Sequence, residues 1–295
     1  MPAATQHDIR RKIRSVQSTQ QITRAMKMVA AARLRKAESR MMTARPYSET
    51  LNEFLLQILP ALTGEESPLL KARGSDAVGL IVITSDKGLC GAFNANVLRK
   101  AEWFMKQRPG LAYKLFCLGK KGAAYFLRRR MGVTSQYTDL YRTASPPMAA
   151  GIIEQAASQF IHGGMDELQI VYTKFVNVAV HQVVIHKLLP VDVDAIAASL
   201  PRLANETREH LLFDYEPDIQ LLCEILLQKY IAGQLYHALL ESFASELGAR
   251  MTAMDAATDN AQDMLESLTL LYNNVRQASI TTEIVEIAST AEAMR

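Results

Sequence analysis

From Asp218 to the C-terminus the chain contains no proline. Read as one helix to about Ser289, that run is roughly 72 residues and ~108 Å long at 1.5 Å per residue. No compact domain buries a helix of that length along itself, so the helix needs a partner of comparable reach. A seam runs through it: Leu247, Met251, Met254, Thr258, Ala261, Leu265, Leu268, Tyr272 and Val275. The steps alternate four and three without a slip, the 3.5-residue period of a coiled coil. Thr258 and Ala261 are small or polar, so the partner helix can approach closely there.

The partner is predicted at the other end of the chain. Residues 5–45 lack proline and glycine and are rich in helix formers, among them Ala30, Ala31, Ala32, Leu34 and Ala37. Ile9, Ile13 and Val16 share one face, and Ile22, Met26 and Val29 repeat the spacing one residue out of register, which predicts an irregular seam. Pro46 predicts a kink or break, after which helix resumes through Leu51, Phe54, Leu55 and Ile58. Met26 and Met28 fall on different helix faces, one toward the partner helix and one toward an outer surface.

Charge separates the two ends. Residues 1–48 carry eleven cations against two acids, a formal +9, while residues 251–295 carry two cations against seven acids, a formal −5. The ends could pair with each other, or the basic end could meet an acidic partner: nucleic acid, an anionic membrane or another protein. Each could also be a solvated helix face.

Between the ends the pattern changes. Val78–Thr84 reads as a buried strand, 93–107 as a helix with Phe93, Val97, Ala101 and Phe104 on one face, and Tyr113–Leu118 as a second strand. Lys120–Arg130 reads as a helix, and a third begins near Pro147. The β-rich stretches 168–180 and 183–189 predict an antiparallel hairpin. Strands alternating with helices imply a Rossmann-like α/β domain with a mostly parallel sheet. The predicted organisation is an N-terminal coiled-coil helix over 1–60, a linker over 61–76, the α/β domain over 77–200, a linker over 201–217 and the C-terminal coiled-coil helix over 218–295. The two long helices form an antiparallel coiled coil with the α/β domain inserted between them. The C-terminal helix, being longer, is expected to extend past the first.

Catalytic patterns are missing. Ser85-Asp86-Lys87-Gly88-Leu89-Cys90-Gly91 lies between a strand and a helix, where phosphate can bind. It matches neither GxGxxG nor GxxxxGK[ST], and a structural turn is the better reading. His181 and His186 are five residues apart on the predicted hairpin and so point to opposite faces. Cys90 has no histidine nearby in sequence to activate it. Three cysteines, Cys90, Cys117 and Cys223, fit a reducing compartment, and the charged N-terminus predicts no secretion. No run approaches the ~20 apolar residues of a membrane span. No cofactor or metal is expected.

Several segments resemble the γ subunit of F-type ATP synthases. They are Ile13-Arg14-Ser15-Val16 with Thr19 to Ala31, Ser85 to Asn94, Ala244-Ser245-Glu246 with Ala249 to Met254, Ala257 to Ala261, and Tyr272-Asn273 with Arg276 to Thr281. The resemblance covers the whole chain and is strongest at both ends. It implies the central rotor shaft, whose terminal helices form a coiled coil inside a ring of α and β subunits and whose α/β domain docks with the ε subunit on the c-ring. Ion-driven rotation of that ring would then drive the catalytic sites of the β subunits through their conformations, and the shaft itself would perform no bond chemistry. The resemblance places partner contacts at Met26, Lys27, Arg33 and Lys36 and again at Arg276, Gln277 and Thr281. The periodicity described above places Ile13, Leu247, Met254, Ala261, Leu268 and Val275 in the coiled-coil seam. Membrane association is expected only through the c-ring, on the cytoplasmic face of a bacterial membrane. Ala92, Thr282 and Ser289-Thr290 depart from the family pattern, and no cysteine-bearing regulatory insert is visible. Two alternatives are a nucleic-acid-binding protein and a nucleotide-binding α/β enzyme. No aromatic precedes Tyr47 for base stacking, and the phosphate loop is absent.

Overall fold

The computed structural model describes residues 5–59, 67–72, 74, 76–198 and 219–294. The expected linker at 201–217 lies outside the described residues, as does most of the one at 61–76. The chain divides into two compact units, one within Met1–Ala31 and Arg250–Arg295 and the other within Ala32–Ala249. Helix α1 (Gln6–Ile58) and helix α7 (Ile219–Ala293) each contribute to both.

The larger unit holds a five-stranded sheet. In chain order its elements are β1 (Ala77–Ile83), α2 (Phe93–Gln107), β2 (Ala112–Leu118), α3 (Lys120–Arg128), β3 (Val133–Tyr137), α4 (Leu140–Thr143), α5 (Pro146–Ile161), β4 (Glu167–Phe175), β5 (His181–Leu189) and α6 (Val193–Ala198). The strand order is β3-β2-β1-β4-β5. All neighbours are parallel except β4 and β5, which form the expected antiparallel hairpin.

The apolar run of β1 is buried on both faces, as parallel strands require when helices cover each side. Ile81 and Ile83 face a core shared with α5, the end of α1 and the start of α7. Val78, Leu80 and Val82 face a second core under α2 and α3. Phe116 and Leu118 of β2 join the first core, and Leu115 and Cys117 the second, by the same period-two alternation. Each such side chain, fully buried, contributes ~1.5–3 kcal/mol.

The hairpin is pinned to α7 by polar as well as apolar contacts. The Thr173 N–H donates to Ser242 Oγ (3.2 Å), and the Ser245 hydroxyl donates to Thr173 O (3.2 Å). Gly248 lies within α7, where glycine costs about 1 kcal/mol relative to alanine. A Cβ there would fall 2.9 Å from His181 Cε1, so the close approach of β5 accounts for it.

Two expectations are corrected. Pro46 does not end the first helix: α1 runs unbroken from Gln6 to Ile58 with Pro46 inside. Pro46 and Met42 are both exposed, so the carbonyl that proline leaves without an N–H faces solvent. Arg45 and Glu49 pair across the same turn (2.8 Å). Strand β3, Val133-Thr134-Ser135-Gln136-Tyr137, was not expected from the sequence. It is a half-exposed edge strand whose polar residues carry little apolar signal.

Candidate partner-binding surface

In the smaller unit, residues 6–31 of α1 pack against residues 250–275 of α7. The buried or half-buried positions of α1 there include Ile9, Ile13, Val16, Gln20, Thr23, Lys27 and Ala30. Their steps are four and three throughout, so the seam is regular, which corrects the expected slip. The slip came from assigning Ile22 and Val29 to the seam. Both face outward, 57% and 52% exposed, while polar Gln20, Thr23 and Lys27 face α7.

Polar seam positions are tolerated because each finds a partner across the interface. Gln20 Nε2 donates to Gln262 Oε1 (3.0 Å), and the hydroxyls of Thr23 and Thr258 are hydrogen-bonded at 2.8 Å. Lys27 forms an ion pair with Asp255. Gln6 Nε2 donates to Tyr272 Oη (3.1 Å). As residue numbers rise on α1 they fall on α7, so the pairing is antiparallel. Ile13 is half-buried in this interface, and on the α7 side Met254 and Ala261 are buried while Leu268 and Val275 are half-buried. Leu247 belongs to the larger unit, clustered with Leu34, Ala37 and Ala244.

The residues expected to meet partners fall in separate places. Met26 is half-buried and Lys27 is engaged with Asp255, whereas Arg276, Gln277 and Thr281 are exposed. The Thr281 hydroxyl donates to Gln277 O one turn back (2.9 Å). Because Lys27 sits opposite Asp255, Gln277 lies 22 residues further along α7, roughly 33 Å away. The structure therefore does not bring these two groups together. Arg33 and Lys36 belong to the larger unit and are exposed, with the Arg33 guanidinium 5.7 Å from the centroid of the Tyr141 ring.

Every residue from Arg276 to Met294 is exposed. Ile280, Ile284, Val285 and Ile287 are among them, with Ile287 at 70%. An exposed apolar helix surface of this kind is a candidate protein contact. Ile22, Met28 and Val29 form a second exposed apolar group on α1. These seven residues were not singled out as contacts from the sequence. The available signal was that Ile22 and Val29 are apolar at positions the regular seam skips.

The Ser85–Gly91 loop is closed by the chain's own atoms. Asp86 accepts hydrogen bonds from the N–H groups of Lys120 (3.0 Å) and Asp139 (2.9 Å), which caps the start of α3. Thr84 Oγ1 accepts the Gly122 N–H (2.9 Å). Ser85, Cys90 and Asn94 are linked by hydrogen bonds, including Asn94 Nδ2 to Cys90 Sγ (3.2 Å). The anion position at this helix N-terminus is thus held by a carboxylate of the protein, and Cys90 is a buried part of the turn. Among the described residues, no helix is long and apolar enough to cross a membrane.

A family model described as ATP synthase matches residues 5–294. The ATP synthase gamma chain of Heliobacterium modesticaldum is 42% identical over 287 residues, covering 97% of this chain and 98% of that one. The gamma chain of Moorella thermoacetica is 40% identical over 293 residues, covering 99% and 100%. Among solved structures, the central stalk and c-ring of the Tetrahymena thermophila mitochondrial ATP synthase contains a chain matching with a TM-score of 0.60 at 28% identity, over 80% of this chain and 99% of that one. A chain of the Euglena gracilis mitochondrial enzyme shares the fold, with a TM-score of 0.70 at 21% identity over 98% and 94%.

Proposed function

The chain belongs to the ATP synthase γ-chain family, and from that premise we propose how its two-helix unit works as the rotor shaft of a central stalk. The observation that carries the proposal is the antiparallel pairing of α1 with α7, beyond which Arg276–Ala293 continues as an exposed helix bearing apolar residues. A helix pair resists bending better than one helix, and the exposed end offers apolar surface to a surrounding protein ring. The α and β subunits are the proposed ring. Arg276, Gln277 and Thr281 would contact it at one level, and Met26 with the half-exposed Lys27 at another.

In this reading ion flow turns the c-ring and the shaft with it, and the asymmetric shaft drives each β site through its conformations. The α and β subunits carry the bond chemistry. The α/β domain, residues 77–200, docks with the ε subunit on the c-ring, and Arg33 and Lys36 face further partners. The shaft helices are α1 (Gln6–Ile58) and α7 (Ile219–Ala293). Association with the cytoplasmic face of the membrane is peripheral and runs through the c-ring. The comparisons give no support to the nucleic-acid or nucleotide-enzyme alternatives.

Affinity purification of the full-length chain from its own cells tests the proposal. The α, β and ε subunits are expected to accompany it. The chain alone is expected not to hydrolyse ATP, and adding it to α and β subunits should restore ATP hydrolysis. Recovery of the chain without any ATP synthase subunit would refute the proposal.

A further inference from the structure

Three consecutive seam layers of the smaller unit are polar: Gln20 with Gln262, Thr23 with Thr258, and Lys27 with Asp255. Apolar seam residues flank them, with Ile13 and Val16 on one side and Ala30 on the other. Apolar contacts are non-directional and tolerate sliding along the helix axis. Hydrogen bonds weaken steeply once distance and angle are lost. The two kinds of layer therefore respond differently to force along or around the pair.

All three pairings require the same antiparallel frame. A one-turn slip of α7 in one direction moves Lys27 toward Thr258, Thr23 toward Ala261 and Gln20 toward Leu265. A slip the other way moves Lys27 toward Met251 and Thr23 toward Met254. Both leave half-buried polar groups against apolar or mismatched neighbours. A polar residue at a seam position selects one register at some cost in stability, and here three layers select the same one.

We propose that this block is an axial and torsional lock: it holds α1 and α7 in one frame, so that Met26 and the exposed Ile22, Met28 and Val29 keep a fixed position relative to α7 while the pair is under load. The lock rests on the shaft reading above, and it adds positioning roles for Gln20, Thr23, Lys27, Asp255, Thr258 and Gln262. The Lys27 ammonium then serves the internal strut more than the outside contact.

Two measurements decide it. In the purified full-length chain, one cysteine pair reports the native frame (Gln20→Cys with Gln262→Cys) and another a one-turn slip (Gln20→Cys with Leu265→Cys). The native Cys90, Cys117 and Cys223 are buried. With the remaining lock residues intact, oxidative cross-linking should favour the native-frame pair by roughly ten-fold or more. An unlocked background (Thr23→Val, Lys27→Met, Asp255→Leu, Thr258→Val) should bring the two yields toward equality while helicity by circular dichroism is retained. An unchanged ratio overturns the lock.

In the assembled complex, Lys27→Asp should lower the number of ions pumped per ATP hydrolysed, because it sets two carboxylates against each other where the ion pair stood. The exchange Lys27→Asp with Asp255→Lys should restore it. Unchanged pumping in the single variant overturns the proposal, and so does failure of the exchange to restore it, since that outcome assigns Lys27 to an outside contact. If the unmodified chain does not join α and β subunits, the shaft reading falls, and the cross-linking ratio still decides the lock.

Discussion

Two residues in the larger unit carry opposite kinds of constraint, one electrostatic and one steric. Glu241 on α7 is buried, its Oε2 has no hydrogen-bond partner, and burial raises its carboxyl above the usual 4.5, an effect that the Tyr172 hydroxyl and Lys174 only partly offset. A raised value means the folded state holds the proton more tightly than the unfolded chain does. The folded state then carries no penalty from this group below about pH 4.5, and loses stability as pH rises through the folded value. Glu241→Gln removes the charge, so the melting temperature of the variant minus that of the wild type should grow as pH rises from 4.5 toward neutrality. A difference independent of pH would show that Glu241 does not titrate in this range. Gly119 is constrained by space. It has φ +110°, and a Cβ there would lie 2.1 Å from Thr84 O, the backbone that α3 packs against. Gly119→Ala should cost about 2–4 kcal/mol in urea unfolding, from strain and displacement of the β1 end together. A loss under half of that would mean the β1–α3 junction can open freely.

At the scale of elements, legibility followed how strongly each segment's apolar pattern matched its period. Helix α2 spans Phe93–Gln107, the expected limits, because its apolar residues sit at clean helical spacing and Gly91 precedes it. The β4–β5 hairpin was visible in its β-branched runs. Strand β3 was not, because an edge strand with Thr134 and Ser135 needs no apolar alternation; its position is set by pairing with Leu115–Leu118. The seam of α1 was misread for a related reason. Apolar residues alone suggested a slip at Ile22, whereas the true interface runs through Gln20, Thr23 and Lys27, whose suitability depends on what faces them on α7. A single helix pattern does not contain that information. The same holds for the contact surface: exposure of Ile280–Ile287 follows only once the end of pairing near Tyr272 is known. Pro46 is the element-scale test. Its backbone is helical and its side chain exposed, so Pro46→Ala restores a hydrogen bond to Met42 without altering the core. Proline costs about 3 kcal/mol relative to alanine in a helix interior, less where the freed carbonyl faces water. The variant should gain roughly 1–3 kcal/mol in thermal or chemical unfolding. A loss of stability would indicate that proline at position 46 is needed for the packing of α1.

For the molecule as a whole, the net charge of +3 conceals where the charge is available. Of the eleven cations in residues 1–48, nine are exposed and two, Lys27 and Arg40, are half-buried. Lys27 is paired with Asp255, Arg11 with Asp8 and Arg45 with Glu49, and the last two pairs are local to α1. Much of the basic charge of α1 is therefore not consumed by the acidic end of α7, and it can act on a partner at a distance. The apolar residues from Ile280 to Ile287 act only on contact. These two forces predict different kinetics. Electrostatic attraction raises the rate of encounter and is screened beyond about 10 Å at 0.1 M salt and about 3 Å at 1 M. Apolar burial slows dissociation and is not weakened by salt. Binding of the full-length chain to a complex of α and β subunits, followed by stopped-flow fluorescence, should show the association rate falling roughly ten-fold or more between about 0.05 and 0.5 M salt. The dissociation rate should change by less than about three-fold over the same range. If dissociation accelerates instead while association stays flat, the cations hold the assembled complex together rather than guide its formation, and the exposed apolar end is not the anchor.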